Sequence, residues 1–114
     1  MAGRVTTHAL DTALGCGAAG MTATLERVSP EPAAYPPVTL DAGGRATLLA
    51  EGLAKGVYAL TFDVGGYHRA VGAPVSDPPF LDLVSIRFGV AEPDGHYHVP
   101  LLISPYGYST YRGG

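Results

Sequence analysis

The sequence predicts an all-β sandwich, and three observations carry that expectation. About eight short runs of β-branched or alternating apolar residues are spread along the chain. Glycine- and proline-rich stretches punctuate them at strand-length intervals, as in sandwiches and not as in alternating βαβ units. Only residues 65–71 admit a helix, of about two turns, and their glycines weaken it. The chain has 114 residues, with no internal repeat and no low-complexity tract. That length suits one domain, residues 1–114, with one core.

Residues 5–10 open the fold as a β-prone run, in which Thr6, His8 and Leu10 share one face and Val5, Thr7 and Ala9 the other. Residues 11–20 are glycine-rich and read as a loop. Residues 22–28 alternate as a half-exposed strand does. Pro30, Pro32, Pro36 and Pro37 then forbid a helix or a central strand and make residues 29–37 a surface connection. Residues 38–41 are a short strand, Gly43 and Gly44 suit a tight hairpin turn, and residues 45–49 return, with Arg45 at the hairpin end. Residues 57–63 alternate clearly behind Gly56, and the helix candidate at 65–71 follows. A proline-rich loop at 72–79 leads into a strand at 81–90. Asp94-Gly95 marks a second hairpin turn. The last nineteen residues begin His96-Tyr97-His98, continue through an apolar strand, a turn and an aromatic strand, and finish at Tyr111-Arg112-Gly113-Gly114.

Composition excludes several classes of function. Charged residues are 15% and hydrophobic residues 46% of the chain. A charged share below the ~25% of an average domain predicts that part of the surface is covered, most simply by further copies of the chain. A formal net charge of -3 argues against nucleic acid, which asks for a basic face, and against anionic membranes. No apolar run approaches the ~20 residues of a spanning helix. Met1, Ala2, Gly3 and Arg4 run into polar residues without the apolar segment of a signal peptide. The lone Cys16 has no internal disulfide partner, so a cytoplasmic location is expected. Cys16 lies between Gly15 and Gly17 without a basic neighbour to lower its pKa, and reads as a plain loop thiol.

Four histidines carry the candidate chemistry: His8, His68, His96 and His98. His96 and His98 are two apart on a strand and so share a face. With His8 they suggest a metal site, but zinc usually takes four ligands and no carboxylate or cysteine cluster completes the set. The alternative is general acid–base work, for which an imidazole with pKa ~6.5 is suited. His68, in the helix candidate, reads as a solvent-facing polar residue. Arg45 is either a solvated turn residue or a binder of anions and carbonyls through its fixed fork of donors. No phosphate loop, nucleophile elbow or paired-carboxylate motif is present.

Taken together, Thr7-His8-Ala9-Leu10-Asp11-Thr12-Ala13-Leu14-Gly15 and the run from His96-Tyr97-His98 to Tyr111-Arg112-Gly113 resemble the 5-hydroxyisourate hydrolases, the transthyretin-related enzymes of purine catabolism. Gly56-Val57-Tyr58 and the strand at 84–88 extend the likeness over essentially the whole chain. Transthyretin itself, a hormone carrier, lacks the histidines and the Tyr-Arg-Gly ending. The resemblance implies a transthyretin-like sandwich of two four-stranded sheets with one short helix. It implies a homotetramer, built as a dimer of dimers, with active sites in the channel between dimers. It implies hydrolysis of 5-hydroxyisourate, without cofactor or metal, to 2-oxo-4-hydroxy-4-carboxy-5-ureidoimidazoline. Its catalytic positions fall on His8, Arg45 and His98, and its substrate-binding positions on His8, Arg45, Tyr111, Arg112 and Gly113. In this reading His98, with His8 beside it, positions and deprotonates water. Arg45 stabilises the oxyanion and keeps the histidines neutral, while Tyr111 and Arg112 close the pocket. His96 takes no assigned role. Two positions depart from the family pattern: Gly114 stands where serine is usual, and Cys16 where arginine is more frequent. The competing expectations are a carrier that binds an aromatic ligand without chemistry, and a metal-binding structural domain.

Overall fold

The computed structural model describes residues 3–114; Met1 and Ala2, on which part of the signal-peptide reading rests, lie outside the described residues. In chain order the elements are β1 (Arg4–Asp11), β2 (Cys16–Gly17), β3 (Thr22–Ser29), β4 (Ala33–Ala34), β5 (Val38–Thr39), β6 (Arg45–Leu49), β7 (Gly56–Asp63), α1 (Val64–Ala70), β8 (Leu83–Val90), β9 (His96–Ser104) and β10 (Gly107–Thr110). They form a two-sheet sandwich with one short helix, as the resemblance implies.

One sheet runs β10-β9-β1, and the far edge of β1 is shared by β2 and β6. The other runs β8-β7-β3, and the far edge of β3 is shared by β4 and β5. Each sheet thus has four strand positions, the last filled by two short pieces. The prolines between β4 and β5 account for one break, because proline cannot donate to a ladder. β1 and β9 pair in parallel, with Thr6 beside His98; the other pairings are antiparallel.

Two turns that read as hairpins are instead crossings between sheets. At residues 42–44 the chain does reverse: Gly44 N–H donates to Asp41 O at 2.9 Å, Asp41 N–H donates to Arg45 O at 3.0 Å, and Gly44 has φ +78°. Yet β5 pairs with β3 and β6 with β1. At residues 92–95, β8 likewise belongs to the β7 sheet and β9 to the β1 sheet. Turn residues dictate a local reversal, whereas the partner of a strand is decided by which apolar face must be covered. The β9–β10 connection is a direct hairpin, with Gly107 opposite Ser104.

The inner faces of the sheets form the core. Val5, Ala9, Leu25, Tyr58, Leu60, Phe62, Leu101 and Ile103 are fully buried there. Each large apolar side chain so placed stabilises the fold by roughly 1.5–3 kcal/mol. Apart from His68, the buried polar side chains among the described residues are paired. Tyr58 O–H donates to Ala54 O at 2.8 Å, and Thr7 Oγ1 donates to Val99 O at 2.7 Å. Asp11, 2% exposed, accepts Ala13 N–H and Leu14 N–H on Oδ1 and the Tyr67 hydroxyl on Oδ2, tying the end of β1 to α1.

α1 starts at Val64, one residue earlier than the candidate, with the Asp63 side chain accepting Gly66 N–H. It buries Val64, Tyr67 and His68, which recur at helical spacing on one face. His68 is therefore not the solvent-facing residue expected: it is 1% exposed, and neither ring nitrogen has a hydrogen-bond partner. Two glycines and one arginine leave the short helix little else to bury.

Candidate active site

The outer face of the β1 sheet carries the polar chemistry. Even-numbered residues of β1 point away from the core, which places Thr6 and His8 outward, both half-buried. Three strands bring partners beside them. Thr6 lies between His98 on β9 and Thr47 on β6, His8 lies between Pro100 and Arg45, and Arg4 lies beside His96. His8, Arg45, His96 and His98 therefore share one surface, although His8 and His98 are ninety residues apart in the chain. A cleft of about 390 Å³ opens there, lined by Thr6, Arg45, Thr47, His96 and His98. His8 is on the same face, in the next row, and is not part of the cleft wall.

The Thr6 hydroxyl is the hub of this surface. Its Oγ1 lies 2.8 Å from His98 Nδ1 and 2.7 Å from His96 Nε2. Arg4 Nη2 lies 3.4 Å from His96 Nδ1. His8 Nε2 lies 2.9 Å from the carbonyl oxygen of Gly43. Arg45 is held through its backbone: Asp41 Oδ1 accepts the N–H groups of Gly43 and Arg45, both at 2.9 Å. Those donors, Arg45 N–H foremost, hold the Asp41 carboxyl below its ordinary pKa. Burial, and then the charges of His96, His8 and Arg45, push the His98 pKa below that of a free imidazole. His98 is thus a neutral ring near neutrality, with Nε2 free of hydrogen bonds among the described residues.

The three C-terminal candidates separate. Gly113 pairs with His98, its N–H donating to His98 O at 2.8 Å. Its Cα lies so close over the imidazole that a Cβ would meet His98 Cδ2 at 2.4 Å. Only glycine fits there without moving the ring. Arg112 turns the other way and places its guanidinium 4.2 Å from the Tyr97 ring centroid, a cation–π geometry. Tyr111 and Arg112 line a second cavity, of about 410 Å³, with Ile86, Phe88, Tyr97 and Val99. Within one chain these two side chains do not reach the histidine cleft. Cys16 is exposed. Among the described residues no three His, Cys, Asp or Glu side chains converge as metal ligands would.

Thr6, Thr47 and Asp41 are the site residues that sequence reasoning passed over. Thr6 and Thr47 were readable as neighbours at period two of His8 and Arg45. Asp41 heads an Asp-Ala-Gly-Gly turn, where an Asp side chain ordinarily caps its own backbone.

The chain matches the family model described as HIUase/Transthyretin family over residues 5–113. It is 53% identical over 111 residues to a 5-hydroxyisourate hydrolase of Caulobacter vibrioides, covering 96% of each chain. Among solved structures it is similar to the 5-hydroxyisourate hydrolase of Klebsiella pneumoniae, with TM-score 0.82, 35% identity and 100% of both chains covered. It is also similar to an (S)-allantoin synthase, with TM-score 0.93 and 41% identity. That match takes in 98% of this chain and 44% of the larger protein.

Proposed function

This chain belongs to the HIUase/Transthyretin family, and on that premise we propose that it hydrolyses 5-hydroxyisourate to 2-oxo-4-hydroxy-4-carboxy-5-ureidoimidazoline. The observation that carries this reading is the shared surface of His8, Arg45 and His98, assembled from β1, β6 and β9. Opening a cyclic amide requires a base for water and a donor for the oxyanion. The two imidazoles supply the first and Arg45 the second. Water loses a proton to a histidine as its oxygen bonds to the carbonyl carbon. The C=O electron pair moves to oxygen, where the guanidinium meets it. When the carbonyl re-forms, the C–N bond breaks and the ring nitrogen takes the proton. Burial of His98 beside Arg45 supports a neutral, reactive imidazole at neutral pH.

A homotetramer, as a dimer of dimers, belongs to the same reading. β8 and β10 end their sheets with unpaired ladder groups, which invite a further strand. Leu14, Phe80, Tyr106 and Tyr108 are exposed apolar side chains of the kind a partner copy covers. The cleft is open on its outer side, so a second copy facing it would exclude water, and Tyr111 and Arg112 would serve whichever site the assembly brings to them. No helix among the described residues is long and apolar enough to cross a membrane. A cytoplasmic location accords with the lone exposed Cys16, which asks for no oxidising compartment.

The test is the decay of freshly prepared 5-hydroxyisourate, followed spectrophotometrically with and without chelator. The chain should accelerate it equally in both. His98→Ala and Arg45→Ala should each lose on the order of 100-fold or more in turnover. Binding without accelerated decay would assign the chain to the carriers, and wild-type rates in either variant would remove these residues from the mechanism.

A further inference from the structure

We infer that Arg4, His96 and Thr6 form a directed hydrogen-bond chain that fixes which ring nitrogen of His98 carries the proton, so that His98 keeps an N–H on Nε2, while a separate contact leaves His8, in the next row of the same face, a free lone pair on Nδ1. A guanidinium donates and never accepts. Arg4 Nη2, 3.4 Å from His96 Nδ1, therefore requires a lone pair on that nitrogen, and the proton of a neutral His96 sits on Nε2. Nε2–H faces Thr6 Oγ1 at 2.7 Å and donates to it. The Thr6 hydroxyl, having accepted, gives its own proton to His98 Nδ1 at 2.8 Å. His98 Nδ1 is then an acceptor, and neutral His98 carries its proton on Nε2.

His8 is set the opposite way by a separate contact. A carbonyl oxygen only accepts, so His8 Nε2 donates to Gly43 O at 2.9 Å. Its Nδ1 is left with a free lone pair. The two rings are thus the same tautomer with opposite nitrogens left free, an N–H on His98 and a lone pair on His8.

This rests on the hydrolytic reading above and narrows it: of the two imidazoles only His8 serves as the base, and His98 joins Arg45 as a donor. His8 Nδ1 takes the proton of the attacking water. His98 Nε2–H, with the Arg45 guanidinium, donates to the oxygen that gains the C=O electron pair. A neutral imidazole serves as such a donor without giving up its proton. On collapse the C–N electron pair goes to the leaving nitrogen, and His8 returns the proton there. Thr6, His96 and Arg4 act only through His98 and are positioning residues.

The tautomers are read directly from two-bond proton–nitrogen spectra of the uniformly ¹⁵N-labelled full chain, without substrate. His98 and His8 should both carry their protons on Nε2. Thr6→Val, which keeps a β-branched strand residue and removes the hydroxyl, should leave His98 a tautomer mixture and lower kcat by roughly 10-fold or more with KM nearly unchanged. Thr6→Ser should restore both. His96→Phe, at an exposed strand end, should reproduce the Thr6→Val spectrum. A wild-type His98 protonated on Nδ1, or a Thr6→Val protein with the wild-type tautomer and kcat, would overturn the inference. The spectra judge the chain of bonds even if the wild-type protein fails to accelerate 5-hydroxyisourate decay, an outcome that would sink the hydrolytic reading alone.

Discussion

Gly113→Ala isolates the contact between the end of the chain and His98. A Cβ built at Gly113 meets His98 Cδ2 at 2.4 Å, Cγ at 3.1 Å and Cβ at 3.2 Å. Carbon atoms rest about 3.5–4.0 Å apart, so either the imidazole or the strand must retreat by roughly 1 Å. If the ring moves, its Nδ1 leaves the Thr6 hydroxyl, now at 2.8 Å, and a separation of up to about 3.8 Å is no longer a hydrogen bond. If the strand moves, Gly113 N–H leaves His98 O, also now at 2.8 Å. Either way a group at the proposed reaction centre is displaced by about the distance that costs 100-fold in rate. The fold should scarcely notice, because one half-buried backbone hydrogen bond contributes only about 0.5–1.5 kcal/mol. Gly114 supplies the control, since a Cβ there meets nothing within 4 Å. Gly113→Ala should therefore lose on the order of 100-fold in kcat for 5-hydroxyisourate decay with a melting temperature close to wild type, and Gly114→Ala should retain activity. Gly113→Ala with undiminished kcat would refute the idea that glycine there seats the imidazole. Equal losses in both variants would show that the tail matters for some reason other than this contact.

Other consequences follow from the buried polar groups. Tyr67→Phe leaves Asp11 Oδ2 without the hydroxyl that now reaches it at 2.8 Å, and should destabilise the fold by about 1–3 kcal/mol in denaturant titration; an unchanged midpoint would mean the contact contributes nothing. The Tyr67 phenol, raised in pKa by burial and then by Asp11, should remain protonated at any pH the fold survives, and ultraviolet titration would reveal otherwise. His68→Leu removes two ring nitrogens that have no partner and should stabilise the protein by about 1 kcal/mol, read as a higher melting temperature; a clear loss would show that the imidazole is satisfied in solution. For His98 the folded pKa lies below the unfolded value of ~6.5, so the unfolded chain binds the proton more readily. Its effect on stability is absent above ~6.5 and grows unfavourable as pH falls from there through the folded pKa. A direct NMR titration of the His98 ring should give a midpoint below ~6.5, and a midpoint above that value would contradict the burial argument.

The local alternation of residues was enough to determine the strands and which face each side chain takes. Thr6 with His8, and His96 with His98, share a face because a strand has period two, a property that needs no knowledge of the partner. The resemblance carried by those histidines and by Tyr111-Arg112-Gly113 extended the reading to the sandwich and the family. What tertiary structure decided are the relations that cross the chain. The Gly43-Gly44 and Asp94-Gly95 turns were plain, but whether they join strands of one sheet or of two depends on which faces must be buried together. His68 turned inward because α1 needed its fourth-residue neighbour of Val64 against the core, a demand invisible in seven residues read alone. Thr6 became a hub only when β9 arrived beside it in parallel, from 92 residues away. Gly113 acquired its role by crossing His98, and Arg112 by finding the Tyr97 ring instead of the cleft. Periodicity is written in neighbouring residues. Register, close approach and the direction of a hydrogen bond depend on atoms the neighbouring sequence does not contain.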